Sequence, residues 1–165
     1  MNLRYILPVF ITIVMASCSQ PSVADEETLF ENETTSKVVV ELSAQEQTLL
    51  DMVNDYRISK GLGSLEFSAV SYQFALEHNE YMISKGELSH DNFNSRASDV
   101  SKATSANFVA ENVAKNYIVL ENALNGWLNS EPHKNTIEGD FTHTTLSIKQ
   151  DSQGNPYYTQ IFFRK

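Results

Sequence analysis

Apolar positions recur at helical intervals through the middle of the chain and alternate near its end. Leu49, Val53 and Tyr56 follow one another three or four residues apart, the repeat of one helical face. Ser43 and Glu46 stand ahead of them in capping-box spacing and Gly61 offers a stop behind, so a helix is expected over about 44–60. A second amphipathic run places Val70, Phe74, Ala75, His78, Tyr81 and Met82 along one face, with Ser68 as N-cap and Gly86 at its end. The polar stretch from Asp91 to Asn107 has no clean period and reads as a long loop. Beyond it, Val119, Leu120, Ala123, Leu124 and Trp127 predict a third helix over 117–129, and Pro132 can start a short new one. The pattern then changes. Residues 142–149 alternate and are rich in Thr and Ile, 151–156 hold turn residues including Gly154, and 157–163 are aromatic and β-branched, so a hairpin closes the chain. Helices first and antiparallel strands last argue for an α+β layer arrangement and against alternating strand and crossover helix.

Upstream of this domain the pattern is of another kind. Arg4 precedes the apolar run from Tyr5 to Met15, and Ala16 and Ser17 stand just before Cys18, as in a signal peptide over 1–17. The run is shorter than the roughly 20 residues a spanning helix needs. Met15, Ala16, Ser17 and Cys18 resemble a bacterial lipoprotein box, which implies that Cys18 is acylated, becomes the mature N-terminus and anchors the chain to a membrane of the cell envelope. Cys18 is the single cysteine. With it acylated, no disulfide, cysteine nucleophile or thiolate metal site remains. Residues 18–42 carry Asp25, Glu26, Glu27, Glu31, Glu33 and Glu41 against Lys37 alone, and read as an acidic flexible tether in which Val38, Val39 and Val40 can alternatively dock as an edge strand. Residues 43–165 form the folded domain.

Composition narrows the function classes. The chain has 165 residues, 41% of them hydrophobic, enough for one domain with a core. Its 12 Lys and Arg against 21 Asp and Glu give a net charge of −9, which offers no basic stripe to nucleic acid. Setting aside Arg4, Lys37 and the six acids of the tether leaves 10 basic and 15 acidic residues in a mildly acidic domain, expected to be a monomer.

The candidate chemistry lies in four histidines and one acid. His78 falls on the apolar face of the second helix and reads as a core histidine bonded to backbone. His90 follows that helix in a polar turn where its side chain can point into a cleft. Glu111 sits among Val109, Ala110, Val113 and Ala114, so it is a buried carboxylate in need of a partner, and histidine is the expected one. His133 comes just after the third helix, beside Ser130, and His143 opens the first hairpin strand. No nucleophile-elbow or helical zinc motif is present in the sequence.

Taken in order, these pieces resemble a known family. The Ser89–His90 pair after the second helix, "AENVA", "WLNSEPHKNTI", "FTHTTLSI" and "GNPYYTQIFF" look like the bacterial branch of the CAP superfamily, the SCP-like extracellular proteins. The resemblance spans about 43–163. It implies an α-β-α sandwich with a small antiparallel sheet between helical layers, and a central cleft in which His90, Glu111 and His133 match the family's histidines and one of its acids. The family's second acid, three residues after the tryptophan, is replaced here by Ser130, and Ala110 stands where a glycine is usual. Ser130 and His143 complete the expected cleft. Two histidines and one carboxylate can hold a divalent cation such as zinc. They can also act as general acid and base in a secreted hydrolase, or form a hydrogen-bonded network lining a pocket for a small ligand, lipid or protein partner. The family's recorded activities are diverse, so the resemblance does not select among these. Trp127, Tyr117, Phe108, Phe162 and Phe163 are read as filling the sandwich, and the polar stretch 91–107 as the rim of the cleft.

Overall fold

The structure, a computed structural model, describes residues 40–165. The expected signal segment, Cys18 and the tether through residue 39 lie outside the described residues. Helix α1 (Ala44–Ser59) starts where the capping box predicts: the Ser43 hydroxyl accepts from the Glu46 amide while the Glu46 carboxylate accepts from the Ser43 amide and hydroxyl. Glu46 is buried because it also serves the tertiary structure. It accepts from the Tyr72 hydroxyl at 2.9 Å and from the Ile148 main-chain amide at 2.8 Å. Ahead of the cap, Leu42 packs against the core.

Strand β1 (Glu66–Phe67) precedes α2 (Ala69–Lys85), which stops at Gly86 in the left-handed conformation at φ 71°. The stretch expected as a polar loop contains helix α3 (Phe93–Thr104). Its half-buried or buried positions are Phe93, Arg96, Ala97, Asp99, Val100, Ser101 and Thr104, along the inward side of the helix. Four of these seven are polar, and Phe93 and Val100 are the only large apolar side chains of the helix, two positions that do not announce a repeat. Strand β2 (Phe108–Lys115) follows, then α4 (Leu120–Leu128), α5 (Glu131–Ile137), β3 (His143–Gln150) and β4 (Pro156–Arg164).

The sheet order is β1-β3-β4-β2. Strands β2, β4 and β3 are antiparallel, whereas the two-residue β1 joins β3 in parallel, so the sheet is mixed rather than purely antiparallel. Side chains of β4 alternate between two cores. Tyr158 and Phe162 pack with Leu49, Val53, Trp127 and Ile137 beneath α1, α4 and α5; Ile161 and Phe163 pack with Ala75 and Val100 beneath α2 and α3. This is an α-β-α sandwich. Arg57 of α1, 2% exposed, ties the first layer together by donating to the carbonyls of Gly63, Ile137, Gly139 and Phe141. Phe108 departs from the expected core set, being 54% exposed at the start of β2, where it stacks on Phe141. Among the described residues no helix is long and apolar enough to cross a membrane.

Candidate functional site

Strand alternation turns Glu111 toward α2 and α3 and its neighbour Asn112 toward α5. The Glu111 side chain is 1% exposed, so its charge needs compensation on the spot. Arg96 supplies it from the inner face of α3, donating from Nε to Oε2 at 2.6 Å and from Nη2 to Oε1 at 2.8 Å in a bidentate pair. His90, in the turn after α2, adds a third bond, Nδ1 to Oε1 at 3.0 Å. Burial pushes the Glu111 carboxyl up, but the bonds from His90 and Arg96 outweigh it and hold the group below its ordinary value. The expected histidine partner is present. The principal partner, Arg96, escaped the sequence reading because it lies in a stretch taken for a loop.

A carboxylate accepts only, so the bond from His90 places a proton on Nδ1, and in the neutral ring Nε2 is then an acceptor. The ring is half exposed and can meet a ligand. It stacks against His133, with ring centroids 6.3 Å apart. His133 Nδ1 lies 2.8 Å from Ser130 Oγ, and burial, then the nearby His90, lower the His133 pKa. Asn112 fastens this half by donating to the His133 carbonyl at 3.0 Å. This group of side chains therefore straddles β2, with Glu111 and Arg96 on one side of the strand and His133 and Ser130 on the other. Ala110 needs no left-handed backbone here, since it is an ordinary residue of β2.

Of the other two histidines, one lies buried behind Glu111 and one stands apart. His78 is buried and donates from Nε2 to the Ser89 carbonyl at 2.8 Å, which fixes the turn that carries His90. Burial lowers its pKa, partly offset by the Glu111 charge 3.6 Å away. His143, expected in the cleft, belongs elsewhere. It lies on β3, separated from β2 by β4, stacks on Phe163 at 5.1 Å and bonds Thr142 through Nδ1. Two strand spacings, about 10 Å, keep it from the group around Glu111.

A divalent cation does not fit this donor set. Both Glu111 oxygens are committed to Arg96, whose guanidinium holds the position a metal would need, and His90 Nδ1 is committed to Glu111. Two imidazole Nε2 atoms remain, fewer than the three or four ligands of a zinc site. Among the described residues no cluster of three or more metal-ligating side chains is present.

A four-stranded mixed sheet between two helical layers, with histidines and one acid gathered around its edge strand, defines an SCP-type α-β-α domain. The model of the cysteine-rich secretory protein (CAP) family matches residues 50–162, and the chain belongs to that family. It is 29% identical over 133 residues to "Uncharacterized membrane protein YlbC" of Bacillus subtilis, covering 74% of this chain and 35% of that protein's length. Among solved structures, an outer surface protein of Borrelia burgdorferi superposes with a TM-score of 0.68 at 19% identity, covering 76% of this chain and 96% of the other. An SCP-domain extracellular protein of Bacillus anthracis gives 0.65 at 25% identity over 77% of this chain and 45% of the other.

Proposed function

We propose that this protein is a non-catalytic binding module of the bacterial cell envelope, anchored through acylated Cys18, whose cleft beside the stacked His90 and His133 takes a ligand. The observation that carries this reading is the state of Glu111. Both its oxygens are engaged by Arg96 and His90, which leaves it a poor metal ligand and a poor proton shuttle. It orients His90 instead, and presents that ring's Nε2 as a fixed acceptor. The envelope location is supported by the signal and lipobox pattern, and by relatives described as an outer surface protein, an extracellular protein and a membrane protein.

A hydrolase is the alternative, and the Ser130–His133 contact at 2.8 Å favours it. That contact joins a helix N-cap to a residue one turn on, and among the described residues no carboxylate bonds His133 to orient it as a base, so binding is preferred. Calorimetric titration of the full-length protein with zinc at pH 7.5 tests the zinc-dependent form of that alternative, and loss of hydrolysis of ester and peptide substrates in Ser130→Ala would establish the metal-free form. Flat traces for the native protein and for His90→Ala and His133→Ala are expected. A tight isotherm lost in both variants would replace the binding module with a metal centre.

A further inference from the structure

The main chain of β2 carries information that its side chains do not. Strand β2 is the last in the sheet and is paired on one side only. The Asn116 amide donates to the Pro156 carbonyl, and bonded pairs in an antiparallel ladder recur at every second residue. In the β2–β4 register, Ala114, Asn112, Ala110 and Phe108 therefore exchange bonds with Tyr158, Gln160, Phe162 and Arg164. The amides and carbonyls of Val109, Glu111 and Val113 must face the open edge. The Val113 carbonyl confirms the phase, because it accepts from the Trp127 indole at 3.0 Å. For Val109 and Glu111, no hydrogen bond from outside the sheet reaches the main chain among the described residues. A groove of about 200 Å³ follows this edge, with Phe93 of α3 and His90 on one wall and Thr136 of α5 on the other. Past Ala110 and Thr136 it opens into a second hollow of about 440 Å³ floored by Phe108 and Phe141.

From this juxtaposition we infer that the cleft's ligand is an extended peptide, which adds to β2 as a fifth strand along Phe108–Glu111. The inference rests on the binding-module reading and names its partner class. Two amides and two carbonyls at alternate residues are matched in spacing and direction by another extended main chain. Phe93 and His90 on one side of the edge and Thr136 on the other favour a single extended chain over a second folded copy of the domain. Side chains of the added strand alternate: one set shares the face of Phe108 and Phe141 and is apolar, the other meets His90 Nε2 and brings a hydrogen-bond donor.

The test uses the full-length protein and a library of N-acetylated, C-amidated hexapeptides, read by fluorescence anisotropy. A library member is expected to bind saturably. Methylating its main-chain nitrogens one at a time should weaken binding about ten-fold or more at alternate positions only, the period of a strand. Val109→Pro deletes an edge donor where proline is tolerated, and should weaken the same peptide about ten-fold, while Val109→Thr binds as native. Circular dichroism checks that both variants fold, and the methylation scan needs no variant. Absence of any saturable binder, a scan without the two-residue period, or dimerisation of the chain through β2 overturns the inference. Peptide binding that survives Val109→Pro but is lost in His133→Ala also overturns it, yet leaves the binding module standing. Tight zinc binding by the native protein removes the binding module itself.

Discussion

Removing Arg96 tests the claim that an internal cation, and not a bound one, neutralises the cleft. In Arg96→Met the Glu111 carboxylate keeps its burial, at 1% side-chain exposure, and loses two charge-assisted bonds of 2.6 and 2.8 Å. Breaking a buried pair by deleting one partner costs about 3–5 kcal/mol. The remaining bond from His90 Nδ1, at 3.0 Å, becomes the sole strong partner and offsets part of this, so a loss near 3 kcal/mol is expected at pH 7.5. For a domain of this size that is a fall in Tm of about 10 °C. Urea denaturation of the native protein, Arg96→Met, Glu111→Gln and the double variant closes a cycle whose coupling energy should reach about 2 kcal/mol. The pH dependence has a definite sign. Native Glu111, held below its ordinary value of 4.5, contributes stability above that pH that is lost as pH falls through the folded value. Without Arg96 the buried carboxyl protonates more readily, so the deficit of the variant narrows as the solution is acidified. A loss below about 1 kcal/mol at pH 7.5, or additive single effects, would refute the reasoning.

Three further outcomes follow from particular contacts. His78 and His133 are both held below the ordinary histidine value of 6.5 by burial, so the unfolded chain binds protons below that pH while the folded chain does not. Stability is fully present above pH 6.5 and declines as pH falls, which a Tm series from pH 8 to pH 5 will read, with His78→Gln flattening the curve. Arg57→Met leaves four carbonyls of the α1 layer without their donor and should cost about 3 kcal/mol or more in urea unfolding. Trp127→Phe strands the Val113 carbonyl and opens a gap beneath α4, for a loss of about 2 kcal/mol in the same assay; no loss would show that the indole bond is not a structural tie.

The elements with undisguised periods were legible in the residues alone. The Ser43–Glu46 box, the helical spacing of Leu49, Val53 and Tyr56, and the alternation of 142–149 and 157–163 are local signals, and local sterics and hydrogen bonding read them directly. The buried acid at Glu111 was also legible, since a carboxylate amid small apolar residues must find a partner, and the family pattern supplied His90 and His133. Helix α3 was not read from the residues, because Phe93 and Val100 alone mark its inward side with large apolar side chains and share it with Arg96 and Thr104.

Tertiary structure alone decided which partner Glu111 received. Arg96 reaches it because α3 packs over β2, a relation across 15 residues that no local spacing announces. Position in the sheet likewise separated His143 from the cleft, left Phe108 exposed, and made β2 an open edge beside the two stacked histidines. The sequence determined which residues were capable of chemistry, since that depends on the side chain itself. Which atoms are spent on one another and which remain free for a ligand depends on distances between segments far apart in the chain, and these exist only in the folded protein.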